Sequence, residues 1–139
     1  MKSRRSMMKI SATIFLALLL LGATQARAQQ CSRISFARGR TTAVINGKVD
    51  AKKSPCYNLR ARKGQHMIVH LTVHGSSPKH NVYFQISPEP ASAEESTDLL
   101  PGANSVVDWE GTIPYTNDYG IVVLADKGSF SFTLEVTIR

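Results

Sequence analysis

Four histidines are the first residues whose spacing suggests chemistry: His66, His70 and His74 stand four apart, and His80 follows. On a helix that spacing would stack imidazoles on one ligand-binding face. Met67, Val69, Leu71 and Val73 alternate with polar neighbours instead, the pattern of a strand, on which four residues span about 13 Å. One ion cannot bridge that distance. His74 and His80 flank the turn-prone Gly75-Ser76-Ser77-Pro78 and could meet, but two ligands fall short of the three or four that zinc takes. We therefore expect no metal site and no cofactor. Asp108 and Glu110 flank Trp109 and share a strand face about 7 Å apart, a separation glycosidase carboxylates can show. Alternation alone places two acids on a solvent face, and no neighbouring feature would raise either pKa. With no Ser-His-Asp set, phosphate loop or nucleotide fingerprint, the expected class is a binding protein rather than an enzyme. Tyr83 falls off the core parity of its strand and Tyr115 lies in a turn, so both rings are candidates for contact with a partner. The alternative for Tyr115 is that it covers a sheet end.

Strands must carry these groups. Phe130, Phe132, Leu134, Val136 and Ile138 alternate with Ser129, Ser131, Thr133, Glu135 and Thr137, a strand with one buried face. The pattern recurs at Tyr57-Leu59-Ala61, at Met67 to Val73 and at Val82-Phe84-Ile86. Further strands are expected over Ile34 to Ala37, Thr42 to Val49, Ser105 to Glu110 and Tyr119 to Ala125. About eight short strands with few helix signals predict an all-β fold, an antiparallel, jelly-roll-like β-sandwich. Pro88 to Asn104 is long for a loop, and Ser92-Ala93-Glu94-Glu95 has the spacing of a helix capping box.

Ahead of this domain, Lys2, Arg4, Arg5 and Lys9 precede an apolar run from Ile10 to Ala23 and the small-residue site Ala26-Arg27-Ala28. That is the order of a signal peptide, with a run of about fourteen residues where a membrane span needs roughly twenty. We expect cleavage after Ala28, leaving residues 29–139 as one domain in the periplasm or secreted, with no membrane attachment. Gln30 before Cys31 departs from the small residue that lipoprotein processing requires. Ser3-Arg4-Arg5 resembles a twin-arginine signal while Leu18 to Leu21 suits the general secretory route, so both routes stay open. Cleavage lowers the formal charge from +7 to +2, because five basic residues leave and no acid does. Nucleic acid is thereby excluded as the expected partner. Ten of the remaining basic residues lie between Gln29 and His80, beside Asp50 alone, whereas nine acids follow Asn81. Interleaved strands would neutralise the two halves across the sheets; a polarised binding face is the alternative. In an oxidising compartment Cys31 and Cys56 can form one intramolecular bridge, and no CxxC suggests a reactive thiol.

Three segments resemble the bacterial periplasmic inhibitors of goose-type lysozyme and, more distantly, the bacterial pre-peptidase C-terminal domain. They are Phe36-Ala37-Arg38-Gly39 leading to Asn46-Gly47-Lys48-Val49, Tyr57 through Gln65, and Trp109-Glu110-Gly111-Thr112-Ile113-Pro114 followed by Tyr115-Thr116-Asn117-Asp118-Tyr119. The inhibitor resemblance implies a non-catalytic protein whose partner is a lysozyme or related peptidoglycan hydrolase. It implies a partner-binding site at Tyr115, Thr116, Asn117, Asp118 and Tyr119. There the loop from Thr116 would enter the enzyme's cleft, Tyr119 packing inside it and Thr116 or Asp118 hydrogen-bonding to catalytic groups. The family's arginine-rich loop is replaced here by a tight turn at Ala125-Asp126-Lys127-Gly128. The pre-peptidase resemblance implies a carbohydrate- or envelope-binding module using Tyr83, Tyr115 and the Arg60/Arg62 face.

Overall fold

In a computed structural model, residues 30–75, 81–89 and 99–139 are described. The expected signal peptide, His80 and the capping-box segment at Ser92 lie outside those residues. The described chain forms eight strands: β1 (Ser32–Arg33), β2 (Thr42–Asp50), β3 (Cys56–Ala61), β4 (His66–His74), β5 (Val82–Pro88), β6 (Asp108–Thr112), β7 (Asn117–Ala125) and β8 (Ser129–Ile138). They build two four-stranded sheets, ordered β1-β3-β7-β5 and β2-β8-β4-β6. Every pairing is antiparallel except β1 with β3. Among the described residues no helix is long and apolar enough to cross a membrane.

Alternation decides which side chains meet between the sheets. Leu59, Phe84, Ile86, Tyr119, Ile121 and Val123 from one sheet and Met67, Val69, Leu71, Trp109, Phe132, Leu134 and Val136 from the other are buried in one core. The core is tight enough to dictate a glycine: a Cβ on Gly47 would stand 2.6 Å from the Phe132 ring and 2.8 Å from the Tyr57 hydroxyl.

Two strand expectations need correction. Ile34 to Ala37 is not a strand; the short β1 precedes it, and Ile34 makes one further ladder bond, its N–H donating to the Asn58 carbonyl at 2.8 Å. Ile34 is buried and Phe36 packs on the core, so the segment alternates as a strand does, but only a neighbouring strand turns alternation into sheet. The strand expected from Ser105 begins at Asp108 instead. Ser105 has a φ of 55°, and the chain after it crosses between sheets: Val106 bridges Phe84 of β5, and the Val107 carbonyl accepts from Leu71 of β4 at 2.8 Å. The far end of the long β5–β6 connection docks on β5, where Leu100 and Ala103 bond to Ile86 and are buried.

Candidate functional site

The connection from β6 to β7 is held rigidly from below. Ile113 is buried, donates to the Gln65 carbonyl at 2.8 Å and accepts from Gly64 at 2.9 Å, which ties the connection to the β3–β4 turn. Thr116 Oγ1 accepts from the Lys63 N–H at 3.0 Å. Pro114, Tyr115 and Thr116 are left exposed, with Tyr115 at 47%.

Tyr119 is not at the tip. It stands third in β7, in step with Ile121 and Val123, and is 0% exposed. Its hydroxyl donates to the Tyr115 carbonyl at 2.5 Å, and the two rings lie 6.1 Å apart at 40°. This is the geometry of a tyrosine corner, in which a tyrosine near the start of a strand bonds back to the backbone a few residues upstream. Burial raises its pKa above the usual tyrosine value. The expectation that Tyr119 packs inside a partner's cleft is therefore corrected: the ring occupies the protein's own core and fixes the turn that carries Tyr115.

The other two residues of the expected loop also lie in β7, paired with Ala61 and Arg60. Asn117 donates to the Glu89 carbonyl at 3.2 Å. The Asp118 carboxylate accepts from Arg33 at 3.0 Å and lies 3.9 Å from Arg60, so it meets the basic half of the chain, as interleaving predicts. Tyr115 and Thr116 are thus the outward-facing part of the expected site.

Beside them runs a groove lined by Arg40, Arg60, Arg62, Gln65 and Thr116 with the apolar Phe36 and Ile138; among the described residues no carboxylate lines it. The pre-peptidase resemblance pointed to the Arg60/Arg62 face, and nothing in the sequence singled out Arg40. Arg40 lies just before β2, and the end of β8 at Ile138, which donates to Thr41 at 2.9 Å, brings it alongside. Three guanidiniums with apolar surface suit an anionic partner surface, since each offers a planar fork of donors to a carboxylate.

Tyr83 belongs elsewhere. It pairs with Leu124, seven residues along β7 from Asn117, a span of roughly 23 Å, and so lies toward the other end of that strand from the Tyr115 turn. Its hydroxyl donates to Asp126 at 3.0 Å; that bond, and then burial, raises its pKa. The two tyrosines do not form one patch. The acids flanking Trp109 face histidines: His70 Nδ1 contacts Asp108 directly across β4–β6, and His66 lies 3.5 Å from Glu110. His74 bonds Thr133 instead, at 2.8 Å. His66, His70 and His74 thus lie along one strand face, each with a different partner. Cys31 and Cys56 form a disulfide, with Cα atoms 4.5 Å apart.

Two packed four-stranded sheets define the sandwich. It is a fold shared with the periplasmic lysozyme inhibitors. Aeromonas hydrophila PliG, a periplasmic lysozyme inhibitor of g-type lysozyme, superposes with a TM-score of 0.62 at 24% identity, covering 79% of this chain and 96% of that one. PliG of Salmonella Typhimurium, also an inhibitor of g-type lysozyme, gives 0.54 at 20% identity over 81% of this chain and all of that one (100%). The pre-peptidase C-terminal domain of a Bacillus anthracis collagenase gives 0.55 at 10% identity, over 81% and 98%. Both resemblances read from the sequence are borne out at the level of fold. No protein-family model matches the chain, and no curated protein matches it in sequence.

Proposed function

We propose that this is an exported, non-catalytic binding protein that inhibits a lysozyme-type hydrolase by occluding its cleft. The observation that carries the reading is the exposed Tyr115-Thr116 turn, pinned from below by Tyr119 and Ile113 and bordered by a groove that three arginines line, Arg60 among them beside Asp118. Glycoside hydrolases act through a pair of carboxyl groups in a cleft. A rigid turn bearing an aromatic ring and a hydroxyl, flanked by guanidiniums, complements such a cleft in shape and charge at little ordering cost. In this mechanism Tyr115 takes the role first expected of Tyr119, Thr116 supplies the hydroxyl, and Arg40, Arg60 and Arg62 meet acidic groups at the cleft. Asp118 holds Arg33 and Arg60 in place rather than touching the enzyme. Export through a cleaved leader, with the disulfide formed outside the cytoplasm, completes the reading.

The test is a lysis assay with g-type, chicken-type and invertebrate-type lysozymes and residues 29–139. Wild type should inhibit at least one of them. Tyr115→Ala and the pair Arg60→Ala/Arg62→Ala should each weaken inhibition by roughly tenfold or more, as loss of central contacts does, without loss of fold. Tyr119→Phe should inhibit almost as wild type. No inhibition of any enzyme by the folded protein would favour the carbohydrate- or envelope-binding alternative, read by retention on peptidoglycan.

A further inference from the structure

On the outer face of the first sheet, Sγ of Cys31, Sγ of Cys56 and a carboxylate oxygen of Glu89 lie within 4.8 Å of one another. The carboxylate is placed rather than merely near. Its Oε2 accepts from Asn58 Nδ2 at 3.2 Å, and it lies over Gly120, where a Cβ would come 3.0 Å from Oε1. Asn58 pairs with Gly120 across β3–β7, so the residue that orients the carboxylate and the residue that makes room for it are neighbours in the sheet. The same amide holds a second acceptor: Asn58 Oδ1 is buried without a hydrogen-bond partner. A buried, unpaired acceptor is costly, and a cation is one group that would satisfy it.

We propose that reduction of the Cys31–Cys56 bridge uncovers a site for a borderline-soft divalent cation of the zinc type, held by the two thiolates and Glu89. Bridged sulfurs carry no thiolate charge and are closed to the ion. A dithiol reductant delivers two electrons and two protons, leaving two thiols here and a disulfide on itself. The ion then displaces one proton from each thiol into solvent. Two thiolates and a carboxylate are a donor set that zinc accepts, with Asn58 Oδ1 or water in the fourth position. Asn58 is a positioning residue for Glu89, as outer-shell partners of metal ligands are. The site is independent of the inhibitor reading.

Cobalt(II) is the probe, added to residues 29–139 after reduction with a phosphine, which leaves no competing thiol. Reduced wild type should show thiolate-to-cobalt charge-transfer absorption saturating at a single equivalent and displaced by zinc; oxidised protein should show none. Glu89→Ala should weaken cobalt affinity by more than about tenfold, and Asn58→Ala by roughly tenfold, while the oxidised forms of both variants keep the wild-type circular dichroism spectrum. If reduction unfolds the chain, cobalt should restore the β-sheet spectrum, because metal binding to a folded site is folding free energy. Absence of the band in reduced wild type, equal affinity in Glu89→Ala, or a reduced chain that stays unfolded with cobalt present would each overturn the proposal.

Discussion

Tyr119→Phe keeps the ring in the core and deletes one hydrogen bond, so it should cost about 1 kcal/mol in chemical denaturation. Tyr119→Ala also removes a fully buried ring and should cost roughly 3–5 kcal/mol. The contrast separates a corner tyrosine from a contact residue, for which Phe and Ala would differ in binding and hardly in stability. Burial raises the pKa of this tyrosine, so folding favours its neutral form. The resulting stability is complete below the unfolded tyrosine value of about 10 and is lost as pH rises through the higher folded value. Tyr83, raised chiefly by its bond to Asp126, acts in the same direction. Stability measured against pH should therefore fall on the alkaline side above pH ~10, and Tyr119→Phe should flatten that limb relative to wild type. The inward position of Tyr119 was legible all along: it shares parity with Ile121 and Val123. What sequence could not supply was the bond from its hydroxyl to Tyr115, which depends on how the preceding turn folds back.

At the level of the strand, Gly111 shows why Trp109-Glu110-Gly111-Thr112 reads as it does. The Trp109 ring lies along β6 over the next residue of the same face, so a Cβ on Gly111 would stand 2.6 Å from it. The indole N–H meanwhile donates to the Pro101 carbonyl at 3.0 Å, clamping the long β5–β6 connection to the sheet. Gly111→Ala should force the ring from its place and cost roughly 1–3 kcal/mol, with a change in tryptophan fluorescence that reports the displaced ring. Unchanged fluorescence and stability would mean that the ring has another place to lie. Strand identity was legible wherever alternation ran between turn signals, as from Met67 to Val73 and Phe130 to Ile138. It failed where the partner strand was left behind after Ile34, at Ile34 to Ala37, and where the chain changed sheets, at Ser105 to Val107. Pairing is a property of two segments, and one segment's pattern cannot contain it.

Over the whole molecule, the excess of cations before His80 and of acids after Asn81 is only partly cancelled by interleaving. Asp118 meets Arg33 and Arg60, and Asp108 and Glu110 meet histidines, but the groove beside Thr116 keeps three arginines and, among the described residues, no lining acid. The sequence offered neutralisation and polarisation as alternatives; the fold contains both, because Asp118 meets Arg33 and Arg60 from β7 while Arg40 and Arg62 line the groove where β8 ends. With the leader removed, as proposed, residues 29–139 carry a formal charge of +2, and the groove would attract an acidic cleft through one local field. Exposed charges act over a Debye length of about 10 Å at 0.1 M salt and about 3 Å at 1 M. Inhibition of a susceptible lysozyme should therefore weaken as sodium chloride is raised, mainly through a slower association rate. Arg60→Gln/Arg62→Gln should lower the rate at low salt and flatten its salt dependence, whereas Tyr115→Ala should leave the slope unchanged and speed dissociation. Stopped-flow or surface-binding kinetics at several salt concentrations read both. If association proves insensitive to salt in the wild type, the groove is not part of the contact and the turn at Tyr115 must account for the binding alone.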